Sequence, residues 1–365
     1  MSGEFIPYGF QSITQGDIDA VVSTLRGDWL TSGPTVEAFE REVAEYVGAR
    51  HAVSFSSATA GLHGAAHAAG LGPGDVAHTT PLTFMATANC IRYVGATPAL
   101  IDIDEATYNI NVAHVGEGVD AIVPVHYAGL PVELDRFAHR PRVVIEDAAH
   151  ALGAMTPDGP VGNCAHSDMC VFSFHPVKPI TTAEGGMVTT NDDDLADRLR
   201  RFRNQGIDRT PRADAWVYDA VEVGYNYRLT DLQSALGMSQ FSRIDFFIDR
   251  RNEIAARYRE LLAGLPVILP PDAPVGYRHG YHLFAIRVER RSEVFRQLRE
   301  AQIGVQVHYV PVHHHTVSHD ISLPPDGLPV CERVYSGLIS LPMFPLLSDA
   351  QQVRVVTELE RIITS

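Results

Sequence analysis

The sequence predicts an α/β protein, a large domain with a mostly parallel sheet over residues 1–265 and a small C-terminal α/β domain over 266–365. Three observations lead there. Short apolar runs alternate with helical patterns through the first two thirds of the chain, the rhythm of strands covered on both faces by helices. A length of 365 residues is long for one compact core. The proline-rich stretch "LPVILPPDAPVG" at 265–276 interrupts the helical zone before it and reads as a boundary.

The elements follow in order. Ile18, Val21, Val22 and Leu25 share one helical face, and Val36, Phe39, Val43 and Tyr46 share another, so two amphipathic helices open the chain. "HAVSF" (51–55) reads as a strand and "ATAGLHGAAHAAG" (58–70) as a tightly packed small-residue helix. "FMATANCIRYVG" (84–95) is helical and "PALIDI" (98–103) extended. "DAIVPVH" (120–126), "RVVIED" (142–147), "MCVFSFH" (169–175) and "GGMVTT" (185–190) are further strands. A helical zone runs from about Thr230 to Leu265 with a break near 245–249. The small domain begins with the strand "YHLFAIRV" (281–288) and the helix "RSEVFRQLREA" (291–301), continues with an extended piece near 305–310, and ends in two helices. "GLGPGD" (70–75) is glycine-rich, but it lies after a helix and before a strand and is broken by Pro73. That order reads as a turn and not as a nucleotide loop.

Composition narrows the function classes. A formal net charge of −15, with no basic tail or basic-aromatic stripe, argues against nucleic acid as a partner. No apolar run approaches membrane-spanning length, and "MSGEFIPYGF" lacks a signal pattern, so a cytoplasmic, non-membrane protein is expected. The cysteines at 90, 164, 170 and 331 have neither disulfide-framework nor zinc spacing.

One residue stands apart. Lys178, in "SFHPVKPITTAEGG" (173–186), is the single lysine in a chain that uses arginine for every other side-chain cation of this kind. A guanidinium stays protonated and is not a nucleophile, whereas a desolvated amine can lose its proton and attack a carbonyl. Chance survival in a surface loop is the bland alternative. Asp147 closes the apolar run "RVVIED", where ligands of open α/β sheets collect, although an aspartate there could equally cap a helix. In "SFSSATAGLH" (54–63) a strand passes through hydroxyl residues into a helix start, which makes either an anion site or an ordinary cap. Together the three features match what pyridoxal 5'-phosphate (PLP) needs: a Schiff-base lysine, an acid for the ring nitrogen, and donors for the phosphate. The acid keeps the ring nitrogen protonated, and the lysine freed by an incoming amine becomes the proton shuttle.

The motifs "SSATAGLH", "TTPLTFMATANCIRYVGATPALIDID", "VIEDAAHALGA", "SFHPVKPITTAEGGMV", "GYNYRLTDLQSALG" and "HYVPVH" resemble the DegT/DnrJ/EryC1/StrS family of nucleotide-sugar aminotransferases. The resemblance runs from "IPYG" to "SLPMFP" (340–345), nearly the whole chain. Within the family, "LTSGP", "SFHPVKPITTAEGG" and "HYVPVH" are most similar to the transaminases of pseudaminic acid biosynthesis.

The resemblance implies a PLP-dependent transferase of fold type I, a homodimer with shared active sites. It implies Lys178 as the Schiff-base lysine and Asp147 at the pyridine nitrogen. Ala58, Thr59 and Ser173 would hold the phosphate, with Asn226 reaching it from the partner subunit. Phe84 would stack on the ring and His150 would lie near the phenolic oxygen. Tyr8, Thr31, His308 and Tyr309 would contact the sugar. The implied reaction transfers the amino group of L-glutamate to C4 of a UDP-linked 4-keto-6-deoxy-N-acetylhexosamine. The same chemistry on a dTDP- or GDP-linked sugar, or a non-catalytic PLP-binding regulator, are the alternatives. Dehydratases of the family replace the lysine by histidine. Lys178 is present, and His175 lies three residues earlier and is not that replacement.

"HYVPVHHHTVSH" (308–319) holds five histidines with no accompanying cysteine or carboxylate pattern, so a substrate or interface loop is expected there and a metal is not. Close relatives carry other residues after "HYVPVH", which leaves open how this segment meets sugar or nucleotide. Leu232 and Leu236, at helical spacing, are accounted for by core or dimer packing.

Overall fold

The computed structural model describes residues 4–208, 214 and 216–365. Its centre is a seven-stranded sheet built from β1 (His51–Phe55), β2 (Val76–Thr79), β3 (Thr97–Leu100), β4 (Ala121–Val123), β5 (Val143–Asp147), β8 (Met169–Ser173) and β9 (Gly186–Thr190). The strand order is β1-β9-β8-β5-β4-β2-β3. Two short hairpins, β6–β7 (Met155–Thr156 with Gly159–Pro160) and β10–β11 (Ile207–Asp208 with Asp219–Ala220), lie outside it.

The sheet is parallel except for β9, which runs antiparallel to both β1 and β8. Every residue of β5, β8 and β9 is buried, as expected for strands covered on both faces. One cover is α3 (Ala58–Ala68), whose small residues let it approach the sheet closely. A Cβ at Gly64 would come within 2.8 Å of the Phe55 ring. Helices α2 (Pro34–Val47), α4 (Met85–Tyr93), α5 (Asp193–Phe202) and α6 (Asp231–Phe241) pack around the same sheet.

A second core gathers where α7 (Ile244–Leu261) meets β12 (Phe284–Arg287), β13 (Leu338–Leu341), α8 (Arg291–Glu300) and α10 (Asp349–Ile363). β12 and β13 pair antiparallel, Phe284 opposite Leu341. Ile6, Ile254 and Tyr258 join this core, so it draws on residues from both sides of the expected boundary at 265. Arg251 of α7 is buried in the same region, and its guanidinium donates to the carbonyls of Tyr281 (3.1 Å) and Met343 (3.2 Å). Helix α9 (Pro329–Gly337) leads into β13.

Three expectations change, and one helix went unread. α1 (Gln15–Leu25) leaves Ile18 and Leu25 of its apolar face exposed and Val21 and Val22 half-buried, and fully buries Asp17 instead. The Asp17 carboxylate accepts hydrogen bonds from Ser239, Gln240 and Arg243, and these decide the orientation. The break in the helical zone falls at Ser242–Arg243, not 245–249, because α6 ends at Phe241 and α7 begins at Ile244. The segment 305–310 contributes one isolated bridge, Gln306 to Ser340, in place of an extended strand. Helix α5 carries mostly charged residues, which hid its three buried positions, Ala196, Leu199 and Phe202. Among the described residues no helix is long and apolar enough to cross a membrane.

Candidate active site

The β8–β9 hairpin creates the site. Ser173, the last residue of β8, pairs with Gly186, the first of β9, so the connecting loop with Lys178 emerges at the carboxyl edge of the parallel strands. Asp147 ends β5 beside β8 at that same edge. This is where open α/β sheets bind ligands.

Lys178 is half-buried, and burial pulls its amine down to about 8 while the Asp147 charge opposes the shift. Its Nζ lies 3.4 Å from His282 Nε2. His282 packs on His150, with ring centroids 4.4 Å apart, and His150 Nε2 stands 2.9 Å from the Tyr309 hydroxyl. Burial holds both imidazoles well below their ordinary value, so both are neutral. Phe84, exposed at the N-terminus of α4, tilts toward Tyr309 with centroids 5.9 Å apart. His308 meets Tyr8 at 5.4 Å, and its Nδ1 lies 2.9 Å from the Ser340 hydroxyl.

Asp147 is buried with few compensating donors. The Thr87 hydroxyl donates to Oδ2 (2.7 Å), and the Ala149 N–H donates to Oδ1 (3.1 Å). Burial nevertheless pushes its carboxyl above the ordinary value. A buried carboxylate with two neutral donors is short of positive charge, and a protonated ring nitrogen would supply it. Behind Asp147, the Val132 N–H donates to His126 Nδ1 (2.9 Å), so Nε2 carries the proton that goes to Glu146 (2.7 Å). The His126 N–H in turn donates to the Asp147 carbonyl (3.1 Å), fixing the strand end.

Ala58 and Thr59 open α3, with Ser57 as its cap accepting from the Ala60 N–H (3.1 Å). Gly186 passes so close that a Cβ there would lie 2.6 Å from the Ala58 nitrogen. The helix start and Ser173 therefore face one another across a backbone that only glycine permits. The residues fit PLP on three counts. Among the described residues the Asp147 carboxylate has no charged hydrogen-bond donor, the helix start is free of an acidic side chain, and the His150 and His282 Nδ1 atoms are buried without partners. Lys178, Asp147, Ala58, Thr59, Ser173, Phe84 and His150 would hold it. Bound there, the cofactor supplies an electron sink for the carbon that loses or gains a proton.

The structure brings Lys178, His150, His308, Tyr309, Tyr8 and Phe84 into one connected set. Thr31 and Asn226 stand apart, since no hydrogen bond, ion pair or ring contact links either to Lys178 among the described residues. Thr31 pairs with Thr230 and Asn226 with Asn204, both exposed. A cleft of about 800 Å³ also lies on that side, between Glu40, Arg41, Arg203 and Arg228, and contains none of the Lys178 set. Sequence reasoning missed His282, Thr87 and Gly186. A histidine inside the apolar run "YHLFAI" was the available signal for His282. Nothing local marks Thr87 or Gly186, whose roles arise from contacts 60 residues and 128 residues away in sequence.

Comparison with known proteins agrees with this geometry. The model of the DegT/DnrJ/EryC1/StrS aminotransferase family matches residues 11–360. The UDP-4-amino-4-deoxy-L-arabinose–oxoglutarate aminotransferase of Shewanella sediminis is 36% identical, with 100% of this chain and 99% of that protein covered. Among solved structures, Helicobacter pylori PseC, an aminotransferase involved in the biosynthesis of pseudoaminic acid, superposes with a TM-score of 0.90 at 28% identity, covering 99% of this chain and 100% of PseC. The PLP form of the sugar aminotransferase Spr1654 from Streptococcus pneumoniae gives a TM-score of 0.90 at 28% identity, covering 99% of each chain. The chain belongs to the DegT/DnrJ/EryC1/StrS aminotransferase family and is a PLP-dependent sugar aminotransferase.

Proposed function

We propose that this enzyme transfers an amino group from L-glutamate to C4 of a UDP-linked 4-keto-6-deoxy-N-acetylhexosamine, as in pseudaminic acid biosynthesis. The observation that carries the chemistry is the half-buried Lys178 amine, pulled down to about 8 beside neutral His282. An amine so tuned holds a proton or gives it up near neutral pH, as a shuttle at a reacting carbon must. The neutral imidazoles of His150 and His282 keep competing positive charge away from it. Tyr309 and His308 line the approach and would orient the sugar; Tyr8 packs against His308. UDP and 2-oxoglutarate are favoured by the name of the Shewanella relative, and the N-acetylated 6-deoxy sugar by the likeness to PseC.

A homodimer with shared sites belongs to the same reading. Exposed Ile18 and Leu25 on α1, with Trp29 and Leu30 after it, form an apolar surface suited to a second copy. Asn226 lies exposed on the loop before α6, available to a partner's phosphate site. The division into 1–265 and 266–365 is proposed with it. The test is product analysis by mass spectrometry with UDP-, dTDP- and GDP-linked 4-keto sugars and L-glutamate. Turnover of the UDP-linked sugar at least tenfold faster than the others is expected; preference for another nucleotide overturns the substrate assignment. Lys178→Arg keeps the charge and should lose turnover by orders of magnitude.

A further inference from the structure

The histidine run 308–319 shows no metal spacing along the chain, but the fold brings a carboxylate from another element to it. In the fold, the single turn Val312–His314 lies against α9. His313 Nε2 and His314 Nε2 stand 2.6 and 2.8 Å from one and the same atom, Glu332 Oε1. The two rings sit 4.5 Å apart at 68°, so their nitrogens converge from different directions. All three ligand atoms lie within 4.8 Å of one another.

Two imidazole nitrogens and one carboxylate oxygen are the donor set that zinc-class divalent ions accept. A tetrahedral ion with bonds of about 2.0–2.1 Å holds its ligands roughly 3.3 Å apart, so the two nitrogen–oxygen separations need to open by about 0.5–0.7 Å. The Glu332 side chain is 45% exposed and that of His314 35% exposed, which gives room for this and leaves a position for water.

A second cluster shows what a closed arrangement looks like. His126, Glu146 and Cys170 also converge, but the Val132 N–H occupies His126 Nδ1 and forces the proton onto the nitrogen that faces Glu146. That nitrogen has no lone pair to offer. Without an ion both Nε2 atoms donate to Glu332, but neither His313 Nδ1 nor His314 Nδ1 accepts a backbone N–H among the described residues, so each ring can carry its proton on Nδ1 instead and offer its Nε2 lone pair to a metal. His313 Nδ1 also lacks an acceptor, which removes the outer hydrogen bond that tightens metal sites and lowers affinity by about 10–100-fold.

We propose that His313, His314 and Glu332 bind one divalent transition-metal ion of the zinc class. The ion clamps the loop that carries His308 and Tyr309 to α9. The loop is already tied on its other side, where the Val312 N–H donates to the Pro81 carbonyl (2.9 Å).

The experiment uses the PLP-loaded enzyme, dialysed against a chelator and titrated with Co2+. One equivalent per chain is expected, with the intense visible bands of four-coordinate cobalt, bleached by added Zn2+. Zn2+ should also raise the unfolding temperature with concentration, as linkage requires. Glu332→Gln and His314→Ala should each lose the bands and bind at least tenfold more weakly. His319→Ala, outside the trio, should retain both. Absence of the bands in the unaltered enzyme, or their persistence in both Glu332→Gln and His314→Ala, overturns the site.

Discussion

At the scale of single residues, Lys178 carries the most testable consequence. An unperturbed lysine keeps its proton to about 10.4, and burial lowers Lys178 to about 8. The unfolded chain therefore binds one more proton across that interval, and this residue's contribution to stability improves as pH rises through it. Only the neutral amine attacks a carbonyl, so the rate at which apo-enzyme gains visible absorbance with added PLP should climb with pH and level off above about 8. Asp147 raises the Lys178 value by its charge. Asp147→Asn should move the midpoint of that profile to lower pH; a midpoint that stays or rises contradicts the arrangement. Lys178 and Asp147 were legible in the sequence because one is unique by residue type and the other ends an apolar strand. His282 was not, since its role rests on a side chain arriving from 104 residues away.

At the scale of elements, periodicity found nearly all the strands and helices but misjudged which side of α1 faces inward. Its apolar residues obey a helical period, yet a fully buried carboxylate with four partners outweighs them. Asp17 accepts from the Thr14 N–H (2.7 Å), Ser239 (2.6 Å), Gln240 (2.8 Å) and Arg243 (2.7 Å). These bonds hold its carboxyl below the ordinary value despite burial, so its stabilisation is present at neutral pH and fades as acid protonates it. Asp17→Ala leaves Arg243 and two side-chain donors without their acceptor and should cost about 3 kcal/mol in urea unfolding. A loss near zero would mean that the apolar face, and not the carboxylate, sets the helix. The antiparallel direction of β9 was likewise invisible, because a fully buried strand shows the same apolar run in either direction.

At the scale of the whole molecule, the α/β architecture could be read from alternating apolar runs, whereas the homodimer and the reach of Asn226 into a partner's site came only from the family resemblance, because a single chain's periodicity carries no trace of a second copy. Thr31 and Asn226 lie outside the Lys178 set within one protomer, as a site completed by a partner would require. Mixing inactive Lys178→Ala with inactive Asn226→Ala protein, after unfolding and reassembly, tests this directly. If Asn226 acts across the interface, half of the dimers are hybrids with one intact site each, and about a quarter of the activity returns. If it acts within its own chain, none does. The single half-buried lysine also makes the enzyme its own spectroscopic reporter. Growth on lysine labelled only at its side-chain nitrogen would place one labelled atom in the entire protein, at the reacting amine, so that a magnetic-resonance spectrum of one line would follow the state of catalysis without any mutation.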